Sequence, residues 1–280
     1  MRKQILIMIL LMSLISGCTS NTSQPKAQEV PHSKKPIHTY SIDTPPLEGG
    51  NESDTRKEIP ELTLAQLHQK FKSNFIFEGP RSPKRVALTF DDVPDRLFTL
   101  QVLDVLRAQG VKATFFVVGN RAEENPDVVK RMRDEGHELG NHSYTHANFN
   151  KISDEEFHNE VLKTQAAVER ITDGYRMRYI RPPYGNVREK QIEWLVSQDI
   201  KVVNWNVDSL DWTQIDADEV EKNIMNQVRS GSIILQHGAG GVGEDLTGTI
   251  QALPRIIKRL REQGMEFVTL PVLLNEKAEQ

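Results

Sequence analysis

Residues 84–272 predict an α/β domain of about seven β/α repeats, closed as a barrel or left open as a parallel sheet. Two observations carry this. Short apolar, β-branched runs alternate with helical patterns along the chain, which is the signature of parallel strands joined by crossover helices. Second, a short polar motif follows almost every apolar run, and both architectures gather ligand sites at the C-terminal ends of their strands.

The predicted strands are Arg85–Phe90, Lys112–Val118, Glu138–Asn141, Tyr179–Arg181, Lys201–Asn206, Ser232–Leu235 and Glu266–Leu270. Ser232–Leu235 is a near-continuous apolar run, as buried parallel strands are. The intervening helices have punctuated ends. Asn125-Pro126 reads as an N-cap followed by a first-turn proline. Ser153 with Glu156, and Asp216 with Glu219, have capping-box spacing. Gly110, Gly136, Gly174, Gly231 and Gly264 stand where left-handed glycines end helices.

What precedes the domain differs in composition. Arg2 and Lys3 form a basic head, Gln4–Ser16 an apolar run shorter than a spanning helix, and Ile15-Ser16-Gly17 leads into Cys18. Residues 1–17 therefore read as an export signal of the lipoprotein kind, with Cys18 lipidated. That places the chain on the outer face of a bacterial cell membrane. A diacylated cysteine anchors stably to a bilayer. Residues 18–60 are rich in polar residues and proline, which suits a tether of about 40 residues averaging roughly 35 Å end to end. Residues 61–83 hold one amphipathic pattern, Leu64, Leu67 and Phe71, read as a helical brace over Leu62–Phe71. Residues 273–280 read as a tail.

Composition narrows the function. Cys18 is the only cysteine, so disulfides and thiolate metal sites are excluded. The formal net charge of −4, without a basic block, argues against a nucleic-acid partner. No obligate protein partner is implied.

Five motifs carry the chemistry: Thr89-Phe90-Asp91-Asp92, His142-Ser143-Tyr144-Thr145-His146, Arg181-Pro182-Pro183-Tyr184-Gly185, Asp208-Ser209-Leu210-Asp211-Trp212 and Leu235-Gln236-His237. His142 and His146 are four apart, so a helical turn points both rings one way. Two imidazoles and a carboxylate from Asp91 or Asp92 suit zinc with positions left open for water. Non-haem iron takes the same set. Neighbouring aspartates beyond a strand end point to different sides, so one can bind metal while the other takes a proton from water. Arg181 suits an ion pair that keeps the free carboxylate charged. His237 suits a general acid held protonated by Asp208 or Asp211, and Trp212 suits core or the wall of a sugar groove.

Together these motifs resemble those of the polysaccharide deacetylase family (carbohydrate esterase family 4, the NodB homology domain), from roughly Lys84 to Pro271. The resemblance implies a distorted (β/α) barrel of seven repeats. It implies Asp91 as general base, Asp92, His142 and His146 as metal ligands, and Arg181 holding Asp91. The backbone N–H of Tyr184 helps stabilise the oxyanion, Asp211 tunes the general acid His237, and Trp212 and Leu235 line the acetyl pocket. The implied reaction is metal-assisted hydrolysis of N-acetyl groups on a sugar polymer, with peptidoglycan as the nearest substrate for an exported, anchored chain. Zinc is the expected ion, with cobalt, manganese or nickel as alternatives. Two other readings share the motifs: an O-acetyl esterase, and a wall-binding lipoprotein of weak activity. Val93 stands where the family usually has glycine, and a β-branched residue is expected at negative φ.

Overall fold

The computed structural model describes residues 62–276. The segments read from sequence as an export signal, the Cys18 lipidation site and a tether, together with the last four residues, lie outside the described residues. Among the described residues no helix is long and apolar enough to cross a membrane.

Helix α1 (Leu64–Lys70) starts at a Thr63–Gln66 capping box and is followed by strand β1 (Phe75–Ile76). Then come β2 (Arg85–Val93), α2 (Phe98–Gln109), β3 (Thr114–Val117), α3 (Gly119–Glu124), α4 (Pro126–Asp134) and β4 (Glu138–Asn141). Next are α5 (Asp154–Ile171), β5 (Tyr179–Ile180), α6 (Glu189–Ser197), β6 (Lys201–Val203) and β7 (Val207–Asp208). The chain ends with α7 (Ala217–Gln227), β8 (Ile233–His237), α8 (Thr247–Glu262), β9 (Glu266–Phe267) and α9 (Leu270–Leu273).

Among the described residues all nine strands share one sheet, ordered β1-β6-β5-β4-β3-β2-β8-β7, with β9 also on β2. Pairing is parallel throughout these ladders. β6 and β7 lie near opposite ends of this order, yet only residues 204–206 separate them. A connection that short reaches about 14 Å at most. The sheet therefore curls until its edges approach, giving the distorted barrel.

Burial follows the curl. Phe75, Leu88, Phe115, Ile180, Val202 and Ile234 pack outward against helices, in clusters with residues of α1, α2, α5, α6, α7 and α8. Their neighbours Ile76, Ala87, Phe116, Tyr179, Val203 and Ile233 form a separate inner cluster, closed below by Leu270 and Leu273 of α9. Adjacent residues on a strand face opposite sides, so each strand feeds both cores.

The structure corrects several boundaries. β1 and β7, each two residues long, were not among the predicted strands, because periodicity has nothing to register over that length. The strand expected to end at Phe90 continues to Val93, and that expected to end at Leu235 continues to His237. The run Glu266–Leu270 is a strand only to Phe267; Leu270 opens α9, with Pro271 in the first turn, where a proline loses no helical bond. The Ser153–Glu156 capping box forms as expected. Asp216 caps α7 by accepting from the N–H groups of Asp218 and Glu219. Asn125 precedes Pro126, but its side chain makes no cap bond. All five predicted glycines have positive φ, but Gly231 stands beyond Val228, the cap of α7, and its N–H bonds the Arg85 carbonyl, so it does not end the helix.

Candidate active site

The five motifs converge at the C-terminal ends of the strands. Asp91 and Asp92 lie within β2, and in a regular strand their side chains would diverge. The register against β3 shifts between Phe90 and Val93, and Asp92 has φ 67°. This bulge turns both carboxylates towards the same cluster. The left-handed conformation falls on Asp92 and not on Val93, as the β-branched side chain requires.

His142 and His146 do not sit on a helical turn. They flank a loop in which Ser143 (φ 64°) and His146 (φ 61°) are left-handed, and the loop itself brings the rings together, with centroids 4.9 Å apart. His142 Nδ1 lies 2.7 Å from the Arg181 carbonyl. A carbonyl only accepts, so Nδ1 carries a proton, and the ring would bind metal through Nε2 once that nitrogen is deprotonated. His146 Nδ1 lies 3.2 Å from the Tyr184 hydroxyl.

Asp92 Oδ1 stands 3.4 Å from His142 Nε2 and 3.2 Å from His146 Nε2. All three atoms are buried, and none has a hydrogen-bond partner. Two ligand atoms at tetrahedral angles, each about 2.0–2.1 Å from one zinc ion, lie about 3.3–3.4 Å apart. The residues thus fit a divalent metal, and they form the group among the described residues whose donor atoms lie within 4.8 Å of one another. The three donors differ electrostatically. Burial works against a charged His142 ring, but Asp91, Asp92 and the Arg181 carbonyl outweigh it and raise its pKa. Burial opposes the Asp92 charge most strongly, but His146, His142 and His237 together hold its carboxyl far below the usual range. Burial, helped by His142 and Arg121, pushes His146 down to about 3 despite Asp92, so its ring is neutral at physiological pH.

Asp91 faces the same cluster. Its Oδ1 accepts from Arg181 Nη1 at 2.7 Å, and its Oδ2 is 3.8 Å from His142 Nε2. Arg181 is fully buried. It also donates to Thr89 Oγ1 (2.8 Å) and to the carbonyls of Val203 (3.1 Å) and Asn204 (3.3 Å), with Phe116 stacked 4.2 Å from the guanidinium. The alignment of β2 with β8 sets Asp91 opposite His237.

Asp211 Oδ1 meets His237 Nδ1 at 2.8 Å, while Oδ2 accepts from the His237 backbone N–H and from Thr249 Oγ1, both at 2.8 Å. Burial works against a charged His237 ring, but Asp211 first, then Asp92 and Asp91, outweigh it and raise the pKa well above the ordinary value. Of the two acids the sequence left open, Asp211 is the partner. Asp208 instead accepts from the Leu210 N–H at 2.9 Å and shapes the turn. Tyr184 is buried in the tight turn Pro183–Gly185 at φ 62°; Leu235 is buried on β8; Trp212 is half-buried beside Asp211.

Three contributors escaped the sequence reading. Arg121, buried on α3, donates to the carbonyls of Asp92 and Gly240, each at 2.8 Å, joining the β2 bulge to the loop after His237. Glu160 on α5 accepts from two N–H groups of the histidine loop. Thr249 on α8 orients Asp211. Each is a polar residue on an amphipathic helix, where pattern alone reads a solvated face.

A sequence model described as polysaccharide deacetylase matches residues 78–203. A Bacillus cereus peptidoglycan-N-acetylglucosamine deacetylase is 42% identical over 209 residues, 75% of each chain. The Listeria monocytogenes peptidoglycan-N-acetylglucosamine deacetylase PgdA is 40% identical over 198 residues, 70% of this chain and 40% of its own length. The crystal structure of the Bc1960 peptidoglycan N-acetylglucosamine deacetylase superposes with a TM-score of 0.72 at 41% identity, covering 76% of this chain and 98% of that one.

Proposed function

The chain belongs to the polysaccharide deacetylase family, and from that premise we propose that it hydrolyses N-acetyl groups on N-acetylglucosamine or N-acetylmuramic acid residues of peptidoglycan, releasing acetate. One observation carries the reading: a buried Asp92–His142–His146 cluster lies against Asp91 with its Arg181, and Asp91 stands opposite His237 with its Asp211.

A divalent ion held by Asp92, His142 and His146 supplies Lewis acidity towards a carbonyl oxygen and acidifies a water. We take that ion to be zinc, on the strength of the two-imidazole, one-carboxylate donor set. Asp91 Oδ2, free of the Arg181 bond that holds Oδ1, accepts the proton of the attacking water. Arg181, bonded on all three nitrogens, fixes that carboxylate in place. The Tyr184 N–H donates to the oxygen that gains charge. His237, protonated on Nε2 and held at Nδ1 by Asp211, gives its proton to the departing amine. Trp212 and Leu235 line the side on which the acetyl methyl sits.

The acid favours an amide substrate over an ester. An amine leaves only once protonated, whereas an alkoxide needs less help, and the buried Asp211 carboxylate bonded to the His237 ring favours its charged form. We further propose that the chain is lipidated at Cys18 and held on the outer membrane face, supported by Ile15-Ser16-Gly17-Cys18 behind an apolar run. Cys18→Ala should move the protein from the membrane to the soluble fraction.

The deciding experiment offers pure protein N-acetylglucosamine oligomers, peptidoglycan fragments and acetylated xylan, and measures acetate with mass spectrometry of the glycan. Loss of acetyl groups from the amide substrates is expected. Release from the xylan ester alone would overturn the proposal.

A further inference from the structure

The loop that carries both histidines has no secondary structure of its own, yet the N–H groups of His142, Ser143, Tyr144 and Thr145 all have acceptors. The His142 N–H donates to the Val117 carbonyl at 2.8 Å. The Ser143 N–H donates to Asn141 Oδ1 at 2.8 Å, and Asn141 Nδ2 reaches the Val161 carbonyl on α5 at 2.9 Å. The Ser143 and Tyr144 carbonyls accept from the N–H groups of Gly119 and Asn120, each at 3.0 Å. The two central N–H groups, of Tyr144 and Thr145, have one acceptor between them: Glu160 Oε2, at 2.8 Å from each. Glu160 Oε1 takes the Thr145 hydroxyl at 3.2 Å.

From this we infer that Glu160 is a positioning residue for the metal site, its carboxylate clamping the loop between the two histidine ligands so that both Nε2 atoms face Asp92. Two of the loop's five residues are left-handed, a conformation that persists only where the surroundings over-determine it. Both N–H groups are half-buried, and among the described residues no acceptor other than Glu160 meets them. Without Glu160 water is the replacement acceptor, which does not hold the loop in one conformation, and His146, one residue beyond Thr145, loses its fixed position. Partners of this kind behind a ligand commonly change metal affinity 10–100-fold.

The inference rests on the proposed ligand set, and a crossed pair of variants tests it. Glu160→Gln keeps the reach and loses the charge: its amide oxygen accepts both N–H groups while its NH2 donates to the Thr145 hydroxyl. Glu160→Asp keeps the charge but is shorter by one methylene, so it cannot reach both. Co2+ is titrated into metal-free full-length protein, reading affinity and the visible d–d spectrum, with thermal melting of the metal-free forms as the measure of folding. Glu160→Gln should bind Co2+ near wild-type strength with an unchanged spectrum. Glu160→Asp should bind 10–100-fold more weakly with an altered one, while melting cooperatively. Wild-type affinity in the Asp variant, or a loss in the Gln variant equal to it, overturns the clamp. Failure of the wild type to bind Co2+ at all would overturn the ligand set as well, so the two failures are told apart.

Discussion

Replacing Asp211 by asparagine isolates what the buried carboxylate does for the acid. Asp211 touches His237 twice, at the ring Nδ1 and at the backbone N–H, both at 2.8 Å. Asparagine keeps the shape and one accepting oxygen but removes the charge. Two unit charges about 4 Å apart at an effective dielectric of about 20 interact by roughly 4 kcal/mol, equivalent to about 3 pKa units. Burial, the strongest single influence on His237, acts to lower its pKa and would be opposed only by the more distant Asp91 and Asp92. The retained Nδ1 hydrogen bond offsets part of the loss, so the pKa of His237 is expected to fall towards or below the ordinary histidine range. The protonated ring carries the activity. Rate is therefore kept below the His237 pKa and lost as pH rises through it. In kcat/KM for acetate release from N-acetylglucosamine oligomers, the wild-type alkaline limb should lie above the ordinary histidine range, and Asp211→Asn should move it to lower pH, with about a tenfold loss per unit above the new limb. An alkaline limb that stays put in this variant, with metal content unchanged, would refute the assignment of His237 as the acid.

Four further outcomes follow from the same geometry. Asp91→Asn should lower turnover about 10²–10⁴-fold while retaining metal by elemental analysis, whereas His142→Ala should lose both; the reverse pattern would mean the two roles are exchanged. Chelation should abolish acetate release, and at metal about 100-fold over its Kd the ion adds about 2.7 kcal/mol, so its removal should lower Tm by about 5–10 °C. A Cβ added at Gly238 would lie 2.6 Å from Val93 Cγ1; Gly238→Ala should cost about 1–3 kcal/mol in urea unfolding, and Val93→Ala in the same chain should recover most of it. Ser143 is left-handed, and its buried Oγ has no hydrogen-bond partner. Ser143→Gly should therefore raise the Tm of the metal-free protein, through about 1 kcal/mol of relieved strain; a lower Tm would show that the hydroxyl is needed.

The sequence made the architecture legible wherever a run was long enough to show a period. Glu138–Asn141 was placed to the residue, and each long strand was found within a few residues of its ends. Besides the short strands and the over-extended last run, the errors fall at the site. Strand β2 was stopped at Phe90 because two aspartates look like the end of a buried strand, when the bulge carries the strand through them to Val93. His142 and His146 were recognised as a pair, but spacing of four suggested a helical turn, and the ring convergence arises from left-handed backbone that no periodicity encodes. Asp208 and Asp211 could not be separated by composition; they differ only in which side of a tight turn they occupy. Arg121 and Glu160 were invisible for a deeper reason. Their partners are backbone groups distant in the chain, so no side-chain pattern marks them.

These misses share a physical cause. Asp92, Ser143, His146, Tyr184 and Leu210 all hold left-handed φ without being glycine, and all belong to the five motifs. At about 1–3 kcal/mol each, such strain approaches the net stability of a domain, roughly 5–15 kcal/mol. Glycine would relieve it, but at Asp92 and His146 glycine would delete the donor atom itself. The strain must be offset by bonds to the same backbone: Arg121 on the Asp92 carbonyl, Asn141 and Gly119 on Ser143, Asp208 on Leu210. A barrel of regular strands ending in bare loops would lack those partners. The helices α3 and α5 therefore do more than cover the sheet: through Arg121, Gly119 and Glu160 they hold ligand-bearing backbone in conformations it would otherwise leave.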